Sequence, residues 1–385
     1  MSADPVGRST LVVYMHFSSP ARQRNKRTSD NLAFFVRHGL VQQPDTIFSL
    51  LFGGSDFSID LPARDNVLVH SVRGVRGYEF SHFRAFLEDP SRFPGCSTSR
   101  SLPLQCGSVD SDVRTLQIAS FRSFILLTDT LRGPFVPPFL PEHRWPSLLT
   151  SMLSSRVKLV GASINCLNCG TDIGDCDDRL HTEGALTVTD SVGLRVLLKQ
   201  WQALPRGNRD KWREIWQGEV FGPVAIRQAG FNIAALSFFW RGHNFLDLQA
   251  TQRKCALVLN KSINAVPEAD LAINPLGQFD ARTRRYVTDE LHGAYQRSGG
   301  VACKGCWWGT DLSPFETMFT HHYTSPMFAH GDVHIYSEMD EGRRQIDGPS
   351  ADSINGRATT VDFFNGSVFV RAFGARRRPP TAQQR

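Results

Sequence analysis

No stretch of this 385-residue chain approaches the roughly 20 consecutive apolar residues that a membrane-spanning helix needs, so no integral membrane segment is expected. Its first residues, Met1-Ser2-Ala3-Asp4-Pro5, lack the charged-then-apolar layout of a secretory signal. The expectation is a cytoplasmic protein, or one peripheral on an endomembrane face. There is no internal repeat and no low-complexity tract, which excludes solenoids and arrays. Nor is there a nucleic-acid-binding motif or a concentrated basic face. The net charge of +6 is scattered, and its two clusters, Arg22 to Arg27 and Arg376 to Arg378, lie in turn-forming sequence. They read as solvated loops or as contacts for an anionic ligand or membrane surface, and nucleic acid is not an expected partner.

What remains is an ordinary globular composition. A hydrophobic share of 41% and a charged share of 21% describe a chain that builds a core, as one large domain or two smaller ones. The 8 cysteines include Cys166-x-x-Cys169 with Cys176, and Cys303-x-x-Cys306. Their local spacing resembles zinc knuckles, but one zinc would need pairs very distant in sequence to meet. The expectation is that these four do not jointly bind zinc and that the thiols are reduced or locally paired.

Residues 121–135 organise the chain. Phe121 to Leu127 is a short apolar run that reads as a buried strand. Thr128, Asp129 and Thr130 put three oxygen-bearing side chains at its carboxyl end, and Gly133-Pro134 stops it. Further strands are expected at 11–17, 46–52, 66–72, 157–161, 185–190 and 231–236. Helices are expected from Asn31 (capped by Ser29 or Asp30) to Gly39, at 79–87, 145–153 and 192–204, and within 212–228. Residues 90–115 read as a surface insertion. Val361 to Phe373 reads as a hairpin turned at Asn365-Gly366. Strands and helices at these intervals argue for an α/β fold: a mainly parallel twisted sheet with helices on both faces and a small C-terminal β extension. The expected domains are 1–325 and 326–385. Ligands of such sheets bind outside the carboxyl ends of the strands, which places the site near Asp129.

Several motifs occur in a recognisable order: Asn31-Leu-x-Phe-Phe-x-x-His-Gly39, Leu61-Pro62, Arg76-Gly-Tyr-Glu-Phe80, Thr128-Asp-Thr-Leu-Arg-Gly-Pro-Phe135, and Asp311-Leu-Ser-Pro-Phe-Glu-Thr-Met-Phe319. Over roughly residues 10–322 the chain resembles polysaccharide glycosyltransferases related to rhamnan synthesis protein F. The resemblance implies a GT-A-like fold that moves a sugar from a nucleotide-sugar donor to a glycan acceptor. Two departures stand out. The usual Asp-x-Asp is Thr128-Asp129-Thr130 here, and the usual aspartate of Gly-Tyr-Asp-Phe is Glu79. A catalytically inactive, carbohydrate-binding or scaffolding relative is the alternative that the first departure supports.

The chemistry assigns candidate roles. A leaving diphosphate needs its charge met by a divalent cation, Mn or Mg, or by cationic side chains. Asp129 and His321 are the candidate metal ligands. Thr128, Asp129, Thr130, Arg132, Arg76 and Glu79 are the candidate donor-binding residues. Arg132 suits a diphosphate by bidentate bonding, or equally a structural ion pair. An inverting transfer needs a carboxylate to take the acceptor proton, and Glu219, Glu316, Glu183 and Asp190 are the candidates. Glu219 leads, because Gly218 permits close backbone approach and Gly222-Pro223 would turn the chain away. Glu214 is expected on a solvated face. Trp307-Trp308 are candidates to stack on an acceptor ring.

Overall fold

Strand β1 (Thr10–Phe17) is buried along nearly its whole length, so it can only be an inner strand of a sheet covered on both faces. The computed structural model describes residues 10–17, 26–53, 61–62, 64–72, 77–97, 105–106, 116–136, 144–166, 179–205, 210–265, 314–321, 359–364 and 367–372. The chain divides into two units, Met1–His334 and Ile335–Arg385.

In the first unit β1 is followed by α1 (Lys26–His38), β2 (Thr46–Gly53), β3 (Val67–Ser71), α2 (Glu79–Glu88) and the short strands β4 (Cys96–Ser97) and β5 (Gln105–Cys106). Then come β6 (Ser123–Thr128), β7 (Leu131–Arg132), α3 (Trp145–Thr150), β8 (Val157–Gly161), β9 (Ile164–Asn165), β10 (His181–Thr182), β11 (Leu186–Asp190) and α4 (Ser191–Trp201). One helical run follows: α5 (Lys211–Glu214), a π-helical turn (Ile215–Val220) and α6 (Phe221–Gln228). β12 (Asn232–Ala235), α7 (Leu248–Ala265), α8 (Pro314–Thr317) and β13 (Thr320–His321) complete it. The second unit contains the hairpin β14 (Thr359–Phe364) and β15 (Ser367–Ala372), which flank the expected Asn365-Gly366 turn.

The seven-stranded sheet has the order β12-β8-β11-β6-β1-β2-β3. All its strands run one way except β11, which is antiparallel to both β6 and β8. Pleating alternates the side chains of β1 between the two faces. Tyr14 stacks on Phe35 of α1 at 4.3 Å, whereas Phe17 meets His82 of α2 at 4.8 Å. Helices therefore cover both faces, α1 one and α2 the other.

Four local expectations need correction. α1 begins at Lys26, upstream of the expected cap at Ser29 or Asp30. The helical run continues through Gly222-Pro223 rather than turning away. Proline has no N–H to give the carbonyl four residues back and crowds it, and the preceding turn takes the wider π spacing. Glu214 is buried, not solvated: its carboxylate accepts from Ser81 N and, at 2.8 Å, from Ser81 Oγ in the first turn of α2. Finally, Cys166 and Cys255 form a disulfide across 89 residues, and Cys96 is also disulfide-bonded. Among the described residues no cysteine is free, in place of the reduced thiols expected, and Cys166 pairs across the fold rather than locally.

Candidate functional site

The chain leaves β1 outward through β2 and β3, then returns on the other side of β1 as β6. That reversal opens a crevice at the carboxyl ends of β1 and β6, the place where doubly wound sheets hold ligands. Asp129 stands there. It is 1% exposed, and its Oδ2 accepts from Phe17 N at 3.0 Å and lies 2.9 Å from Nδ1 of His16. Its backbone carbonyl accepts from Asn31 Nδ2 of α1 at 3.0 Å. His16 was absent from the candidate residues, although its place at the end of an apolar run was the available signal. Burial and the neighbouring Asp129 charge both push the Tyr14 hydroxyl well above its ordinary pKa.

The other donor-side candidates are tied into the protein. The Thr128 and Thr130 hydroxyls bond each other at 2.7 Å. Arg132 is buried, with its guanidinium 4.5 Å above the Phe34 ring and 3.5 Å from the Asp30 carbonyl. These contacts are with a ring and a backbone carbonyl, not the carboxylate of the expected structural ion pair. Glu79 is half-buried in the first turn of α2, where a carboxylate complements the helix dipole. The backbone of His321 pairs with Leu131, two residues beyond Asp129, so the two candidate metal positions share one ribbon. The His321 side chain, Arg76, and Trp307-Trp308 lie outside the described residues.

The antiparallel direction of β11 brings the loop before it to the same carboxyl edge. Glu183, 2% exposed, lies in that loop beside Gly184. Gly184 N donates to Oε1 of Glu219 at 3.1 Å, so the structure brings these two catalytic candidates together. Glu219 is half-buried on the π-helical turn, a distortion that recurs at functional sites. Phe80 sets the spacing. A Cβ on Gly184 would lie 2.4 Å from Phe80 Cζ, and one on Gly218 would lie 2.4 Å from Phe80 Cγ. The ring is wedged between two glycines, which is why both positions lack a side chain. Thr182, Thr187, Leu197, Trp201 and Pro223 help line a small adjoining pocket with room for about one water. His181, just before this loop, is pushed down to about 4 by burial.

Asp190 is at the opposite edge, where it caps α4 and accepts from Lys158 Nζ at 2.6 Å, whereas Glu316 lies elsewhere on the carboxyl edge. It is on α8, and its Oε1 accepts from Phe238 N just past the end of β12. Burial raises its pKa, while hydrogen bonds oppose the shift. The same short segment reaches back to β7 and the residues after it, since Met318 O accepts from Phe135 N at 2.7 Å and β13 pairs with β7.

Among the described residues no three His, Cys, Asp or Glu side chains converge as metal ligands. Asp129 with His16 supplies two donors, and Oδ2 of Asp129 is already engaged. The described donors alone do not fit a divalent cation.

No family model and no curated protein matches the chain. A solved structure that it is similar to is the glycosyltransferase GlyE of Streptococcus pneumoniae TIGR4, at 10% identity and a TM-score of 0.30. The match covers 74% of this chain and 60% of that one. A likeness of that size says nothing about activity. The chain is an α/β protein on a mixed, mostly parallel sheet. Among the described residues no helix is long and apolar enough to cross a membrane.

Proposed function

We propose that the chain is a glycosyltransferase that moves a sugar from a nucleotide-sugar donor to a glycan acceptor in polysaccharide synthesis, with inversion and with Glu219 as the general base. The convergence of Glu219 and Glu183 on the carboxyl edge, beside the switch point at Asp129, carries this reading. The ordered motifs from Asn31 to Phe319 support it. In the reaction Glu219 takes the proton of the acceptor hydroxyl as that oxygen attacks the anomeric carbon. The bond to the donor diphosphate breaks, and the leaving group carries away the electron pair. Gly184 N, bonded to Oε1 of Glu219, orients the carboxylate for this task. A bound divalent cation would supply Lewis-acid stabilisation of the leaving diphosphate; the steps assigned to Glu219 and Gly184 do not depend on one.

The test is a thermal-shift screen of the full chain with uridine and guanosine diphosphates, with and without manganese. A ligand at 100 times its Kd adds about 2.7 kcal/mol to the native state and raises the midpoint. No shift with any diphosphate refutes the reading. A second reading, an inactive carbohydrate-binding relative, has its own support in the burial of Asp129 and the stacking of Arg132 on Phe34. It expects no nucleotide shift. We also place the protein in an oxidising compartment, because cross-links such as Cys166–Cys255 are rarely kept in the reducing cytosol. Thiol labelling of the cell-derived protein, before and after reduction, checks this: label on Cys255 before reduction would refute it.

A further inference from the structure

Among the described residues the exposed large hydrophobic side chains are Phe238 and Leu246, each at 43%. Phe238 opens the 3-10 turn Phe238–Trp240, directly beyond the carboxyl end of β12. It therefore stands on the edge that carries Asp129, Glu183 and Glu219. The next two aromatics are committed to packing. Trp240 is buried against Phe245, and the Lys254 ammonium of α7 lies 4.7 Å from the Phe239 ring and 5.2 Å from the Trp240 ring. Those contacts fix the turn and leave the Phe238 ring facing water. Glu316, half-buried, is fastened to the backbone N–H of that same residue.

Capping the turn accounts for the bond to Glu316. It does not account for a phenyl ring left 43% exposed on the very residue whose backbone N–H holds that carboxylate. A pyranose ring needs this pair: its C–H face is apolar and packs on an aromatic face, and its rim of hydroxyls donates to a carboxylate. β12 is three strand spacings from β6, or roughly 14 Å from the switch point. A sugar held at β12 is thus set apart from a donor held at β1 and β6.

We propose that Phe238 and Glu316 form a sugar subsite in which one pyranose ring of the glycan acceptor stacks on Phe238 and donates a hydroxyl hydrogen bond to Glu316. Its assignment to the acceptor rests on the glycosyltransferase reading; the binding of a sugar there does not.

The experiment is saturation-transfer NMR on the full chain with methyl glucoside, galactoside, mannoside and rhamnoside as probes. Saturation of protein aromatic protons should pass to the ring protons of at least one glycoside. Phe238→Ala should cut that transfer at least 10-fold and Phe238→Tyr should keep it. Glu316→Gln should weaken it several-fold, and Leu246→Ala should leave it unchanged. Phe238 is exposed, so its variants are expected to keep the wild-type melting midpoint. Absence of transfer to all four glycosides, or equal transfer in Phe238→Ala, overturns the subsite. The diphosphate thermal shift run alongside separates the two readings. Saturation transfer to a glycoside that depends on Phe238, without any nucleotide shift, supports the subsite while refuting the transferase. A nucleotide shift with transfer indifferent to Phe238 does the reverse.

Discussion

Adding one methyl group at Gly218 tests how the Glu219 carboxylate is held. A Cβ there would lie 2.4 Å from both Cγ and Cδ2 of Phe80 and 2.8 Å from its Cβ, well inside contact distance. The ring cannot swing aside. It is 6% exposed, Gly184 closes its far end, and Trp201 packs on it at 5.4 Å between centroids. Either the ring or the π-helical turn must move by about 1 Å, and overpacking of that kind costs roughly 1–3 kcal/mol. We expect Gly218→Ala near the upper end, because both neighbours of the ring are rigid. Phe80→Leu alone should cost about 1–2 kcal/mol through lost packing. In the double variant the smaller side chain makes room for the methyl group, so the combined loss should fall short of the sum by at least about 1 kcal/mol. Denaturant unfolding of the four proteins, followed by tryptophan fluorescence, gives the cycle. Strict additivity would show that the wedge does not exist, and a neutral Gly218→Ala would refute the clash outright.

Glu219→Gln keeps the hydrogen bond from Gly184 but cannot take a proton, so turnover should fall by about 10² to 10⁴ with diphosphate binding unchanged; full activity in this variant, with loss in Glu183→Gln or Glu316→Gln, would move the base elsewhere. Cys255→Ser opens a loop of 89 residues, for which chain entropy gives about 4–5 kcal/mol. Reductant should lower the wild-type midpoint toward that of the variant, and a wild type indifferent to reductant would contradict this. His82 and His181 are both held near 4 by burial, below their ordinary 6.5. Both are neutral in the fold while their unfolded counterparts take up protons below 6.5. Stability should therefore be full above that pH and fall by on the order of 3 kcal/mol apiece as the pH drops toward 4. His181→Gln should flatten part of the slope seen in urea midpoints between pH 7 and pH 4.5, and an unchanged slope would contradict the assignment. Removing the carboxylate in Glu214→Ala strands the Ser81 N–H and hydroxyl, with an expected cost of about 1.5–3 kcal/mol by the same unfolding assay.

The strands were legible because their apolar runs are short, β-branched and bounded by turns. Leu11 to Phe17, Thr46 to Phe52 and Val157 to Gly161 all appear within a residue of the expected limits. Direction was not legible: Leu186 to Asp190 alternates apolar and polar residues where its neighbours are mostly apolar, but only the pairing with β6 and β8 shows that it runs the other way. Helix α7 was not legible because its polar sequence shows a weak stripe; the Cys166–Cys255 bridge ties it to the sheet region. At the site, residue type identified Glu183 and Glu219 as candidates. It could not reveal that Gly184 joins them, nor that Glu214 is spent on α2, because both facts depend on contacts across more than thirty residues. His16 and Phe238 carry no motif. They matter through position, one at the end of β1 and the other left in solvent after β12.

The reversed strand has a kinetic consequence. β1, β2, β3 and β6 pair among themselves and bring His16 and Asp129 together without help from the rest of the sheet. β11 has to slot between β6 and β8, and only then does its leading loop carry Glu183 and Gly184 to the edge where Glu219 waits. Chains are made from the N-terminus, so the strands of the switch-point half emerge before β11 and its leading loop. Nascent or partly folded chains would thus carry the switch-point half of the site while lacking its carboxylate half. Completion of the sheet is what would arm the protein, so a half-made chain would be chemically silent.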